Sequence, residues 1–367
     1  MQWNLNVNVQ QQLTNNLSAM VAYVGSRGVH QGFRADDFDM VLPTKIPQGY
    51  LFPIQDPTNP LPTLNPNFGQ IGGIAYGGNS FYDALLAGVT KRMSHGLEFQ
   101  GSFTWGKSID NASGTIAGDT FSNALSSLHW YDLSLSRGLS DFDIRRTVVF
   151  SATWQVPEAK SLSGPAGWVT SGWELGTIFK ANDGVPFTAT WGTDGDPQLL
   201  GSSDPWAFPN RLTGPGCQSL VNPGNPNNYI KTECFTVPSA PNVAFWNANC
   251  NPTPYVDSSG NPVSVPYPLC FNLRGNAGRN ILIGPGLTNL DFSIFKNNRV
   301  RRISENFNVQ FRAEFFNVLN HANFNVPIVP DNTDIFDSTG APTGVAGKLT
   351  STTTSAREIQ FAIKLFW

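Results

Sequence analysis

The chain has 367 residues and a formal net charge of −3. Its basic residues are scattered, so it lacks the concentrated positive field that a nucleic-acid partner requires. Only 13% of residues are charged, about half the usual share for a soluble domain, yet no run approaches the roughly 18 apolar residues of a membrane-spanning helix.

Low charge at a mean hydropathy of −0.19 means that Asn, Ser, Thr, Gln and Gly dilute the apolar residues. That mixture suits strands with one face in lipid and the other towards a polar lumen. A soluble all-β protein with long loops is the alternative. The N-terminal run MQWNLNVNVQ has no basic segment followed by an apolar one, as a secretion signal would. A secreted barrel needs such a signal, so the chain is expected to be a fragment without its natural start.

Period-two alternation is the strongest signal. It begins at Trp3, Leu5, Val7 and Val9 and resumes from Leu17 through Ala19, Val21 and Tyr23. A Pro- and Gly-rich region follows, in which Gly72, Gly73, Gly77 and Gly78 read as loop. Alternation returns at Leu85, Ala87 and Val89. A tight turn at 93–96 leads to Leu97, Phe99, Gly101, Phe103 and Trp105, then to Val148, Phe150, Ala152, Trp154 and Val156. Trp173, Leu175, Thr177 and Phe179 precede a long irregular stretch, 183–284, that holds all four cysteines: Cys217, Cys234, Cys250 and Cys270. Further strands follow at Leu290, Phe292 and Ile294, and at Phe307, Val309, Phe311, Ala313 and Phe315. The chain closes on Ile359, Phe361, Ile363, Leu365 and Trp367.

Long connections near 26–79, 106–141, 183–284 and 318–354 alternate with short ones near 11–16, 93–96, 157–171 and 297–303. Alternate connections of an antiparallel barrel share a rim, with long extracellular loops and short periplasmic turns. A loop of about a hundred residues argues against a compact soluble domain. The fold expected is therefore all-β: an antiparallel transmembrane β-barrel portion spanning 1–367, of about nine strands from a larger barrel. An odd count, where bacterial barrels use even ones, points again to missing strands.

Strand alternation assigns faces. Phe99, Phe103, Phe150, Trp154, Phe307, Phe311, Phe361 and Ile363 are expected towards lipid. Gln100, Thr104, Asn308, Gln310, Arg312, Glu314, Gln360 and Lys364 are expected towards the lumen. Trp3, Trp105, Trp154, Trp173, Trp191 and Trp367 stand near strand ends, as girdle residues do, although taken alone they are better explained as core aromatics. The four cysteines suit an oxidising compartment. Nearest-neighbour pairing, Cys217 with Cys234 and Cys250 with Cys270, is expected among the three possible arrangements.

No chemistry-bearing constellation emerges. His30, His95, His129 and His321 form no metal-ligand pair, and the cysteine spacing fits no zinc module. Asp141 and Asp143 share a strand entry, but loop or lumen charges explain them better than paired acids. Asp194 and Asp196 flank Gly195 without completing a calcium loop. No cofactor and no enzymatic activity are expected.

Two runs carry a family resemblance: Lys91–Gln100 with Phe103–Asp110, and Arg312–His321. So do Asp141–Arg146, Gly275–Asn280 and Gly284–Lys296. Together, in order, they resemble the TonB-dependent outer-membrane receptors of the Oar-like type. The terminal residues Ile359, Phe361, Ile363, Leu365 and Trp367 resemble the signal read by the barrel assembly machinery. The resemblance implies an intact barrel of about twenty-two strands with an N-terminal plug, in the outer membrane of a Gram-negative-type cell. It implies outer-membrane lipid as surroundings, the TonB energy-coupling complex as a partner through the missing N-terminal part, and an extracellular ligand that is a bulky or scarce solute. A non-transporting adhesion or structural barrel, or a secreted soluble carbohydrate-active β-protein, are the competing functions.

Overall fold

Residues with alternating polarity form nine long strands in the computed structural model. They are β1 (Gln2–Thr14), β2 (Leu17–Ala35), β3 (Gly73–Ser94), β4 (Leu97–Asp110), β5 (Arg146–Gln155), β6 (Trp173–Asn182), β7 (Leu287–Arg299), β8 (Asn308–Phe316) and β9 (Glu358–Phe366). Each pairs antiparallel with its sequence neighbour, and the short strand Gly138–Leu139 adds to β4. The structure describes residues 1–35, 37–47, 49–51, 63–111, 113, 129–158, 164–191, 208–238, 275–300, 302–328, 332–337 and 340–367.

Register keeps apolar side chains mainly on one face and polar ones mainly on the other. The cross-strand row Leu97, Trp154, Leu175, Ile294, Ala313, Phe361 is apolar, and the adjacent row Glu98, Thr153, Gly176, Ser293, Glu314, Gln360 is mostly polar. A one-residue slip anywhere would exchange the two. Thr90 on β3 and Glu314 on β8 border one cavity of about 660 Å³. In a flat sheet five interstrand steps would hold these strands about 24 Å apart. The sheet therefore curls, with its polar face inward. Among the described residues the outer edges of β1 and β9 carry no further strand.

The apolar face is bounded by charge at both ends. At the long-loop end Arg27 pairs with Asp83 at 2.9 Å and Arg146 with Asp183 at 2.8 Å. At the short-turn end lie Lys91 and Lys296, on the same face by register. From Asp83 to Lys91 is about 26 Å along the strand at about 3.3 Å per residue. At the tilt of barrel strands the height is about 20 Å, close to the apolar band of an outer-membrane barrel.

Several sequence expectations need correction. β2 and β3 are 19 and 22 residues long, so Gly73, Gly77 and Gly78 belong to strand, not loop. Glycine permits the close packing there: a Cβ on Gly28, opposite Ser80, would stand 2.5 Å from the Gln31 side chain and the Ser80 hydroxyl. The first short turn is only Asn15–Asn16, because pairing continues to Thr14. The 157–171 turn contains a helix, α1 (Gly164–Thr170). The 93–96 turn is a two-residue hairpin with His95 and Gly96 both at positive φ, the conformation that matches strand twist. A side chain at Gly96 would meet the Gln155 carbonyl at 2.5 Å.

Candidate functional site

Most buried apolar side chains lie outside the sheet. Phe187, Trp191, Phe208, Ile230, Leu282 and Ile335 anchor a core built from the two connections between β6 and β7 and between β8 and β9. Short ladders hold it: Pro186–Phe187 with Leu282–Ile283, Asn210–Arg211 with Phe235–Thr236, and a parallel contact of Thr190–Trp191 with Asp334–Phe336. Met40 and Tyr50, from the connection between β2 and β3, pack with Trp130, Tyr131 and Leu135 from the next one. His129 joins the two groups through an edge contact to Phe208 at 6.0 Å. All four long connections thus meet in one cap at one end of the sheet.

Arg279 ties the cap to the strand ends. Its guanidinium is 1% exposed, contacts the carboxylates of Asp110 and Asp141, and donates to the Ser136 carbonyl at 2.8 Å. Asn280 donates to Asp141 at 2.6 Å and to the Leu139 carbonyl at 2.7 Å. Asp143, also buried, accepts from the Ser108 amide at 2.5 Å. Asp141 and Asp143 therefore lie in a buried loop network and not on a strand face. No local spacing links positions 110, 141 and 279, so sequence periodicity does not reveal the triad.

Burial pushes the Asp141 carboxyl up to about 6, against the opposing pull of Arg279 and Asn280. The folded cap thus binds a proton that the unfolded chain releases between about pH 4 and pH 6. Acidification through that window is expected to strengthen the cap, and the gain disappears as pH rises through 6. Hydrogen exchange of residues 275–283 across pH 4–7, corrected for intrinsic rates, checks this. A slope that persists in Asp141→Asn would assign the effect elsewhere. Asp132 behaves oppositely: hydrogen bonds from Ser134, then Tyr50, hold its carboxyl down to about 2.

Beneath the cap lies the polar face. Arg312 donates to Gln310 at 2.6 Å and stacks over the Phe295 ring at 5.1 Å, so its partners are an amide and a ring, not an opposite charge. Gln310 also donates to Asn297 at 2.9 Å and pairs across the strands with Lys364. Gln310, Arg312 and Glu314 are half-buried, whereas Gln100, Gln360 and Lys364 are exposed. Ile178 and Phe295 share this face, which is mixed where alternation suggested a purely polar one. On the other face Phe361 and Ile363 are 66% and 71% exposed. A two-layer sandwich would bury them.

The remaining expected residues fall as follows. Trp3 and Trp105 stand at the long-loop end of the apolar face, and Trp154, Trp173 and Trp367 at the short-turn end. Trp191 does not join either band: 2% exposed, it fills the cap core and donates to the Asp337 carbonyl at 2.8 Å. Ile359, Phe361, Ile363, Leu365 and Trp367 are all exposed along β9 and its end. Cys217 and Cys234 form a disulfide within the cap. Cys250, Cys270, Asp194 and Asp196 lie outside the described residues. Among the described residues no cluster could hold a metal ion.

A family model described as "Outer membrane beta barrel domain" matches residues 1–360. Two solved structures are similar over the whole chain. The outer membrane transporter YddB from Escherichia coli is 11% identical with a TM-score of 0.43, and 32% of that protein is covered. The FrpB iron transporter from Neisseria meningitidis, F3-3 variant, is 11% identical with a TM-score of 0.34, and 31% of it is covered. The chain thus spans about a third of the length of each. Among curated proteins nothing matches.

Proposed function

The chain belongs to the outer-membrane β-barrel family, and from that premise we propose that it is the C-terminal part of a TonB-dependent receptor of the Oar-like type. It is an outer-membrane protein and not an enzyme. In the proposed reading the apolar face meets lipid, the face bearing Gln310, Arg312, Glu314 and Lys364 lines the lumen, and the cap captures a bulky or scarce solute outside. The observation that carries the reading is the meeting of all four long connections in one cap over the inward polar face. Strand parity supports it. Nine alternating strands begin and end in the same direction, so antiparallel closure needs an odd number of further strands between β1 and β9. Those strands, a plug and the coupling to TonB would come from the rest of a longer protein, with the barrel assembly machinery acting on β9.

Depletion of a complex growth medium tests the proposal. Cells expressing the full-length protein should remove at least one large solute that cells lacking either the protein or the energy-coupling complex leave behind. Identical depletion in all three would favour a non-transporting surface barrel.

A further inference from the structure

We propose that α1 is a membrane-surface anchor, seated in the headgroup–acyl boundary of the phospholipid leaflet at the short-turn rim and clamped to the sheet by Lys296. The inference begins with a charge in an unfavourable place. Lys296 lies directly opposite Trp173 on β6 and Phe311 on β8, so its side chain issues from the apolar face. An ammonium left there would be costly in lipid. Instead Lys296 is 7% exposed, and its three donors all have acceptors: the carbonyls of Trp168 at 2.9 Å and Ser171 at 2.6 Å, and Asn298 Oδ1 at 3.0 Å. The rings of Trp168 and Trp173 lie 5.3 and 5.7 Å from its nitrogen.

Those carbonyls are ones that the end of a helix leaves without partners. Lys296 therefore neutralises two liabilities at once, its own charge and the open C-terminal end of α1. The direction of its side chain places the C-terminal end of α1 beside the apolar face at the rim, where Trp168 also borders a cavity shared with Glu174, Asn297 and Gln310 of the polar face. Two more bonds fix it: Trp173 Nε1 donates to the Val169 carbonyl at 2.7 Å, and the Asn297 amide to the Gly172 carbonyl at 2.8 Å. A helix of 7 residues has no stability alone, so these contacts hold it in place.

What α1 then presents outward is apolar. Trp168 is 62% and Val169 54% exposed, and the helix carries no acidic residue in its first turn and no basic one in its last. Lys296 and Trp173 lie one row rimward of Ile294 and Leu175, so Trp168 and Val169 stand at the rim of the apolar face, which the proposed function gives to lipid. Trp154, Trp173 and Trp367 mark the same level, where indole rings favour the interface. A lipid surface matches this chemistry: apolar, one amphipathic ring, and continuous with the face that the proposed function assigns to lipid.

The test uses the full-length protein with Cys250→Ser and Cys270→Ser, a nitroxide on Val169→Cys, and phospholipid vesicles. Oxygen should relax this label more than a water-soluble nickel chelate does. Its nickel accessibility should be several-fold below that of a label at Lys348 in the cap. Equal nickel accessibility at the two sites would place α1 in water and overturn the proposal. Adding Lys296→Met should free the label, with a narrower spectrum and nickel access restored, while gel mobility shows the barrel still folded. A label that stays immobile and lipid-exposed without Lys296 would overturn the clamp. If that variant fails to fold, the Val169→Cys result alone decides.

Discussion

Arg279→Ala is expected to open the cap while leaving the sheet intact. The substitution leaves Asp110 and Asp141, both nearly inaccessible, facing each other without their cation. Removing one partner of a buried ion pair costs about 3–5 kcal/mol, and here one cation serves two carboxylates. The Ser136 carbonyl loses its donor as well. Hydrogen exchange should accelerate at residues 136–143 and 275–283, with strand amides of β4 to β8 unchanged. Arg279→Met combined with Asp110→Asn and Asp141→Asn removes all three charges and should recover much of the loss. Protection unchanged in Arg279→Ala would show that the apolar cap core holds these loops unaided.

The second large effect separates the two faces of one strand. Phe150 sits midway along β5, between Gly101 and Phe179 on the apolar face, and Ser151 beside it borders the inward cavity. Phe150→Arg is expected to cost about 2–4 kcal/mol in folding into a bilayer, the range for an arginine near the midplane of a barrel's lipid face. Ser151→Arg should stay within about 0.5 kcal/mol, as surface substitutions usually do. Denaturant titration of vesicle-inserted protein, read by gel mobility, measures both. Equal costs would contradict the assignment of faces.

The sheet was legible because its physics is local. Apolar residues at every second position of Leu97–Trp105 or Ile359–Trp367 announce a strand and its apolar side without reference to anything distant. The sorting of connections into long and short announced two rims. The cap was not legible, because its contacts are between residues far apart in the chain. Trp191 looked like a girdle residue since it follows a strand, yet the Thr190 ladder with Asp334 carries it into the cap. Arg279 meets Asp110 across 169 positions, and nothing in either neighbourhood indicates the other. The extension of β2 and β3 was hidden by glycines of the 26–79 region such as Gly28 and Gly73, whose missing side chains allow close approach but read as turn. α1 was hidden by its poor helix formers, two glycines and a proline in seven residues, held in place by bonds from Lys296, Trp173 and Asn297.

The cap core also imposes an order in time. Ile335, Phe336 and Ala346, which complete it, arrive only in the last connection before β9, while Phe187 and Trp191 precede them by more than a hundred positions. A chain emerging from its N-terminus can lay down β1 to β6 one hairpin after another, each strand finding its partner immediately behind it. The first half of the cap must wait, its aromatic side chains uncovered, until the connection between β8 and β9 has crossed. Completion of the cap and addition of β9 are therefore linked events, and a chain stalled before residue 332 would carry β1 to β8 beneath an unfinished roof.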